Sequence, residues 1–293
     1  MSNILAHPIG QSLILPFSVS ILCSFLIQSL LNNERGTRWA VLAIAAGALA
    51  SYVAILGLPP FPPRVSSQKF FYIVVFATLV GITLKPSRKL STRTLFFPTA
   101  LVVVTWFAIP TLTWRYPETF VPPILLMAVW LVTLQQFDRL GDRGLLGIFV
   151  LIFGATGIAI TAGLGNSASI AQVALAIAAA AAGFCFLVWR NHQFRFDRLA
   201  IFTGVVPLLA LISQLILFGG APIFAMLPLL ALLFVDQAVA YTFPSWKGST
   251  LAVGMICLLP LAITAALALH LEASYDPYGH LPVTPIAHGT SEG

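Results

Sequence analysis

Charge is scarce in this sequence: Asp, Glu, Lys and Arg together make up 8% of its 293 residues, against about a quarter in an average soluble domain. With 59% apolar residues and a mean hydropathy of +0.96, the chain has more hydrophobic surface than a soluble core can hide. Cysteine is scarce too. Cys23, Cys185 and Cys257 fall in separate apolar runs, with no metal-ligand spacing and no evident disulfide partner, and read as small buried side chains. The chain has no P-loop, HExxH helix motif, dinucleotide fingerprint or GxSxG turn. No cofactor is expected on that basis. The net charge of +6 and pI near 9.6 resemble those of a nucleic-acid binder, but the placement of the cations has a topological explanation, and no nucleic-acid partner is expected.

What the sequence does have is a succession of apolar runs, many close to the 20 residues that a helix needs to cross hydrocarbon. They are continuous and lack strict alternation, which favours helices over an outer-membrane barrel. The fold class expected is all-α, a polytopic transmembrane helix bundle of about ten spans: 9–31, 39–58, 67–84, 95–114, 119–137, 145–164, 168–189, 198–218, 222–243 and 249–270. The first run follows a leader without Lys or Arg, so it is expected to stay as a span rather than be cleaved as a signal. Residues 1–270 read as one transmembrane domain and 271–293 as a flexible polar tail.

The cations test this count. The connections after spans one, three, five, seven and nine hold twelve of the fifteen, including Arg35, Arg38, Arg88, Arg143, Arg195 and Lys247. The opposite face holds Arg64, Lys69 and Arg115. Such alternation is what the positive-inside rule predicts if the first group is cytoplasmic, which puts both termini on the non-cytoplasmic side. Lys69 lies close to Lys85 for a span to fit between, so it is expected to snorkel or the helix to be short. The proline-rich stretch 59–63 should be extended and stiff. Glycines at 147, 154, 157 and 163 and the alanines of 174–182 predict a close hairpin between spans six and seven. Pro16 and Pro122, and Gly57-Leu58 and Gly163-Leu164, recur at one offset, consistent with a weak four-helix repeat over 9–114 and 119–218.

Asp236 is the most informative residue, because it is the one ionisable group that falls inside a span and not near its edge. At such a place it costs roughly 2.5 to 3.5 kcal/mol on insertion scales and should face the bundle interior or water. It reads as a coupling carboxylate on a substrate or ion path with Gln237, Gln214 and Gln136, or else as an interfacial residue if the span ends near Val235. The glutamines read equally as interhelical hydrogen-bonding groups. Arg64, Lys69 and Arg115 are candidates for an outer vestibule that attracts anions, or for interfacial anchors. Prolines within or at the start of many spans are the kind of break from which transporters build binding sites.

No metal site is expected: His7, His270, His280 and His288 share the outer face with Glu272 and Asp276 but match no compact motif. Asp138, Asp142, His192 and Asp197 would be the acids and imidazole of a lipid-modifying enzyme holding Mg²⁺. The run 138–143 resembles the cytoplasmic-loop signature of major facilitator transporters over those residues alone, and nothing is carried over from it. Three functions compete. The first is a secondary transporter or permease for a small solute, the second a noncatalytic subunit of a membrane complex, and the third a membrane-embedded lipid-modifying enzyme. An enzyme is the less favoured class. The partners expected are the lipid bilayer and other membrane proteins or further copies of the chain, and short loops point to a bacterial inner membrane.

Overall fold

The computed structural model describes residues 7–31, 33–84, 92–112, 117–141, 145–165, 167–189, 194–219, 223–242 and 250–273. All regular structure among them is helical. Ten helices follow in chain order: α1 (Gly10–Leu30), α2 (Gly36–Leu56), α3 (Ser66–Thr83), α4 (Thr92–Ala108), α5 (Val121–Leu140), α6 (Leu146–Leu164), α7 (Ala168–Val188), α8 (Arg198–Phe218), α9 (223–242) and α10 (Thr250–Ala273). Each coincides with an expected span to within a few residues at most ends; α4 stops earlier, at Ala108. Eight are long and apolar enough to cross a bilayer, and α4 and α9 carry shorter apolar stretches.

Proline sets several irregularities. Its ring collides with the carbonyl four residues back, and in α1 and α8 the backbone responds by widening. Residues 10–14 before Pro16 and 201–205 before Pro207 are wound as π-helix, and each stretch contains the residue four before the proline, Ser12 or Thr203. Helix α9 tightens instead: between Ile223–Met226 and Val235–Thr242 it runs as a 3₁₀ helix over Leu227–Phe234, with Pro228 in its first turn. The steeper rise of a 3₁₀ helix takes these twenty residues to about 34 Å, enough for a hydrocarbon core of about 30 Å.

The most enclosed helices are α7 and α8, while α1, α5 and α10 lie outside them. Small residues decide the packing of α1, α2 and α7. A Cβ on Gly183 would stand 2.6 Å from the Phe17 carbonyl oxygen, and one on Gly47 would stand 2.7 Å from that of Pro16 and 2.9 Å from the Ala180 Cβ. The Ser20 hydroxyl donates to the Ala180 carbonyl at 2.7 Å. The expected α6–α7 hairpin forms, but the α6 glycines mostly serve other neighbours: Gly147 meets Phe196, Gly154 meets Leu208 and Gly157 meets Leu229, leaving Gly163 to face Ala171 of α7.

Polar contacts sort into two ends. At one, Arg38 Nε donates to Asp197 Oδ2 at 2.8 Å and its Nη2 to the Leu84 carbonyl at 3.1 Å. Asp197 also caps α8 by accepting from the Ala200 amide, and Arg198 lies 4.0 Å from Asp138. This end gathers the start of α2 and the connections flanked by α3, α5 and α8. At the other, the Ser51 hydroxyl of α2 donates to the Gln11 carbonyl of α1, and Lys69 of α3 reaches the end of α4. The proline-rich stretch is bent rather than extended, because Tyr72 holds it down. The tyrosine hydroxyl donates to the Pro59 carbonyl at 3.1 Å, and the Phe61 ring packs edge-on against Tyr72.

Candidate functional site

Two cavities lined by described residues differ in chemistry. The larger, about 120 Å³, is walled by α5 (Val129, Thr133, Phe137), α6 (Val150, Gly154, Ile158), α8 (Leu208 to Ile216) and the 3₁₀ run of α9. A Cβ added at Gly154 would meet nothing closer than Leu208 at 3.5 Å, so that wall is open for lack of a side chain. Leu227 and Leu230 on its rim are exposed, which sets its mouth toward the lipid-facing side of α9. Its lining is apolar apart from Thr133, a buried residue whose hydroxyl makes no hydrogen bond among the described residues. Beside it, Trp130 Nε1 donates to the Ser213 hydroxyl at 2.9 Å and locks α5 to α8.

The smaller cavity, about 10 Å³, lies at the end of the bundle away from Arg38 and Asp197, between α2, α3, α7 and α8. It is lined by Tyr52, Ser67, Ser169 and Gln214 together with Leu56, Phe70, Ile170, Val173 and Leu211. The Tyr52 hydroxyl donates to the Ser67 carbonyl at 3.0 Å. Gln214 is only 5% exposed, yet its carboxamide makes no hydrogen bond among the described residues.

Of the residues singled out from sequence, Asp236 is half-buried in the first turn after the 3₁₀ run, one turn beyond Leu232 and Leu233 of the larger cavity and outside its lining. Helix α9 continues past it to Thr242, whereas Gln237 beside it is exposed. Gln136 and Gln214 are both buried but lie near opposite ends. Gln136 accepts from Arg139 at 3.4 Å in the turn that also carries Asp138. Gln214 stands sixteen residues along α8 from Arg198, the partner of Asp138, or about 24 Å of helix. These residues mark two ends of the bundle and do not form one cluster.

Two of the three outer-vestibule candidates, Arg64 and Lys69, are among the described residues. Arg64 is exposed, and its amide donates to Gln68 Oε1 at 2.7 Å. Arg115 lies outside the described residues. Lys69 turns inward instead of snorkelling: it is 9% exposed, and its Nζ donates to the Trp106 carbonyl at 2.7 Å and lies 5.9 Å from both the Trp106 and Phe107 ring centres. The cause is Pro110. In an α-helix the Trp106 carbonyl would take the amide of residue 110, which a proline lacks, so the lysine supplies the missing donor. The enzyme residues are only partly described. Asp138 and Asp197 each face a guanidinium, while Asp142 and His192 lie outside the described residues. The described residues hold no group of three or more His, Cys, Asp or Glu side chains placed to bind a metal.

Comparison with protein-family models, with curated proteins and with solved structures finds no match for this chain. Fold and composition define the class: an integral, multi-pass membrane protein built as an all-helical bundle.

Proposed function

We propose that the protein is a secondary carrier for a small, largely apolar solute, with the cavity between α5, α6, α8 and α9 as its binding place. The observation that carries this is the winding of α9, which leaves the α-helical form along the wall of that cavity. A 3₁₀ run of eight residues is long, and such stretches inside helices mark hinges. Carriers use interrupted helices at mid-membrane to hold solute and to move. A cavity of about 120 Å³ with one free hydroxyl suits a group of the size of a benzene ring that carries a single polar atom. Asp236, just beyond the hinge, is the candidate coupling group, since a carboxylate there links its protonation to the movement of α9. The reading sets the protein in a bacterial inner membrane, with its basic end in the cytosol.

The test is uptake by vesicles containing the purified protein, challenged with a mixture of small apolar and amphipathic metabolites under an imposed proton gradient, with their contents read by mass spectrometry. At least one solute should accumulate above empty vesicles. Gly154→Leu, which fills the cavity without a clash at Cβ, should return that solute to background, and Asp236→Asn should abolish its dependence on the gradient. Equal contents in protein-bearing and empty vesicles would remove the carrier reading. Gradient-driven uptake unchanged in Asp236→Asn would remove the coupling role.

A further inference from the structure

We infer that the small cavity between α2, α3, α7 and α8 is a binding site for one small monovalent anion of halide size. The inference stands apart from the carrier reading, because it uses a different cavity at the far end of α8. Its size admits one occupant, since about 10 Å³ is on the order of the space for a single water-sized particle. The sign of that occupant follows from what surrounds it.

Two long helices begin at this cavity. Ser67 is the second residue of α3 and Ser169 the second of α7, and both line it. The first amides of a helix have no intrahelical acceptor, and the aligned peptide dipoles place a positive partial charge there. On α7 no side chain caps these amides, and the first intrahelical bond runs from Ala171 to the Ser167 carbonyl. On α3, Gln68 turns its carbonyl oxygen back to the amides of Arg64 and Val65, which leaves those of Ser66 and Ser67 without a side-chain cap. Helix starts with this arrangement favour anions.

A second and independent feature is Gln214. The residue is 5% exposed and lines the cavity, and its carboxamide makes no hydrogen bond among the described residues. An occupant that accepts its N–H gives that group a partner. Tyr52 has already committed its proton to the Ser67 carbonyl, so it donates nothing further and serves to hold α3 against α2. Among the described residues no Asp or Glu lines the cavity. A cation would meet two positive helix ends with no carboxylate to balance them, and a larger organic anion does not fit.

The experiment is thermal unfolding of the full chain in mild detergent at constant ionic strength, with sodium bromide or chloride replacing sodium gluconate. The unfolding midpoint should rise by roughly 3 °C at ten times the dissociation constant, saturating with halide. Gln214→Leu, which removes the carboxamide, and Ser169→Ala, which removes a hydroxyl from the lining, should each abolish most of the rise. If Gln214→Leu fails to fold, Ser169→Ala reads the same site alone. A crystal grown in bromide should show one anomalous peak between Ser67, Ser169 and Gln214. No halide-specific rise in the wild-type protein would overturn the inference, and so would a rise that persists in both variants or a water without anomalous signal at this place.

Discussion

Lys69 shows how a single residue is decided by a partner far away in sequence. Its amine fills the place of the amide that Pro110 lacks, between two aromatic faces. Lys69→Met should therefore lower stability by about 1 to 3 kcal/mol, because it strands the Trp106 carbonyl. In the Lys69→Met, Pro110→Ala double variant the restored amide should recover much of that loss, as read by thermal or denaturant unfolding in detergent. Purely additive losses would show that the two positions are not coupled. The spacing of Trp106 and Pro110 is visible in the sequence, and it announces an orphaned carbonyl. Which donor answers it depends on the packing of α3 against α4, and no local pattern encodes that. The same holds for Gln214: its depth in a span was legible, but its lack of a partner depends on how four helices meet.

At the scale of elements, apolar runs and proline positions place most helices within a few residues, because lipid demands a minimum length and the backbone must be satisfied internally. The winding inside them was less legible. Prolines interrupt helices, but Pro16 and Pro207 follow π-turns and Pro228 stands in a 3₁₀ run, a difference that no local pattern announces. Small residues behaved likewise. Glycine and alanine foretold close approach, yet the sequence does not say whom they approach, and α7 spends much of its small face on α1 and α2. Gly183→Ala should accordingly cost about 1 to 3 kcal/mol, since its Cβ would collide with a backbone oxygen. Gly254→Ala on α10, where a Cβ meets nothing within 4 Å, should be neutral or stabilising by up to about 1 kcal/mol. Unfolding midpoints of the two variants check this, and a Gly183→Ala protein as stable as Gly254→Ala would contradict the α1–α7 packing.

For the whole molecule, the central claim is that the bundle threads the membrane alternately and keeps its basic connections in the cytosol. The contacts of Arg38 with Asp197 and Leu84, and of Arg198 with Asp138, draw the ends of four helices together at one end of the bundle. The Ser51–Gln11, Tyr52–Ser67 and Lys69–Trp106 contacts draw another set together at the opposite end. Side-specific reporter fusions after Arg88, after Arg195 and after Gly219 measure this threading directly. The account predicts cytosolic reporters at the first two positions and a reporter on the far side of the membrane at the third. Arg88 and Arg195 on opposite sides, or Gly219 in the cytosol with them, would contradict it.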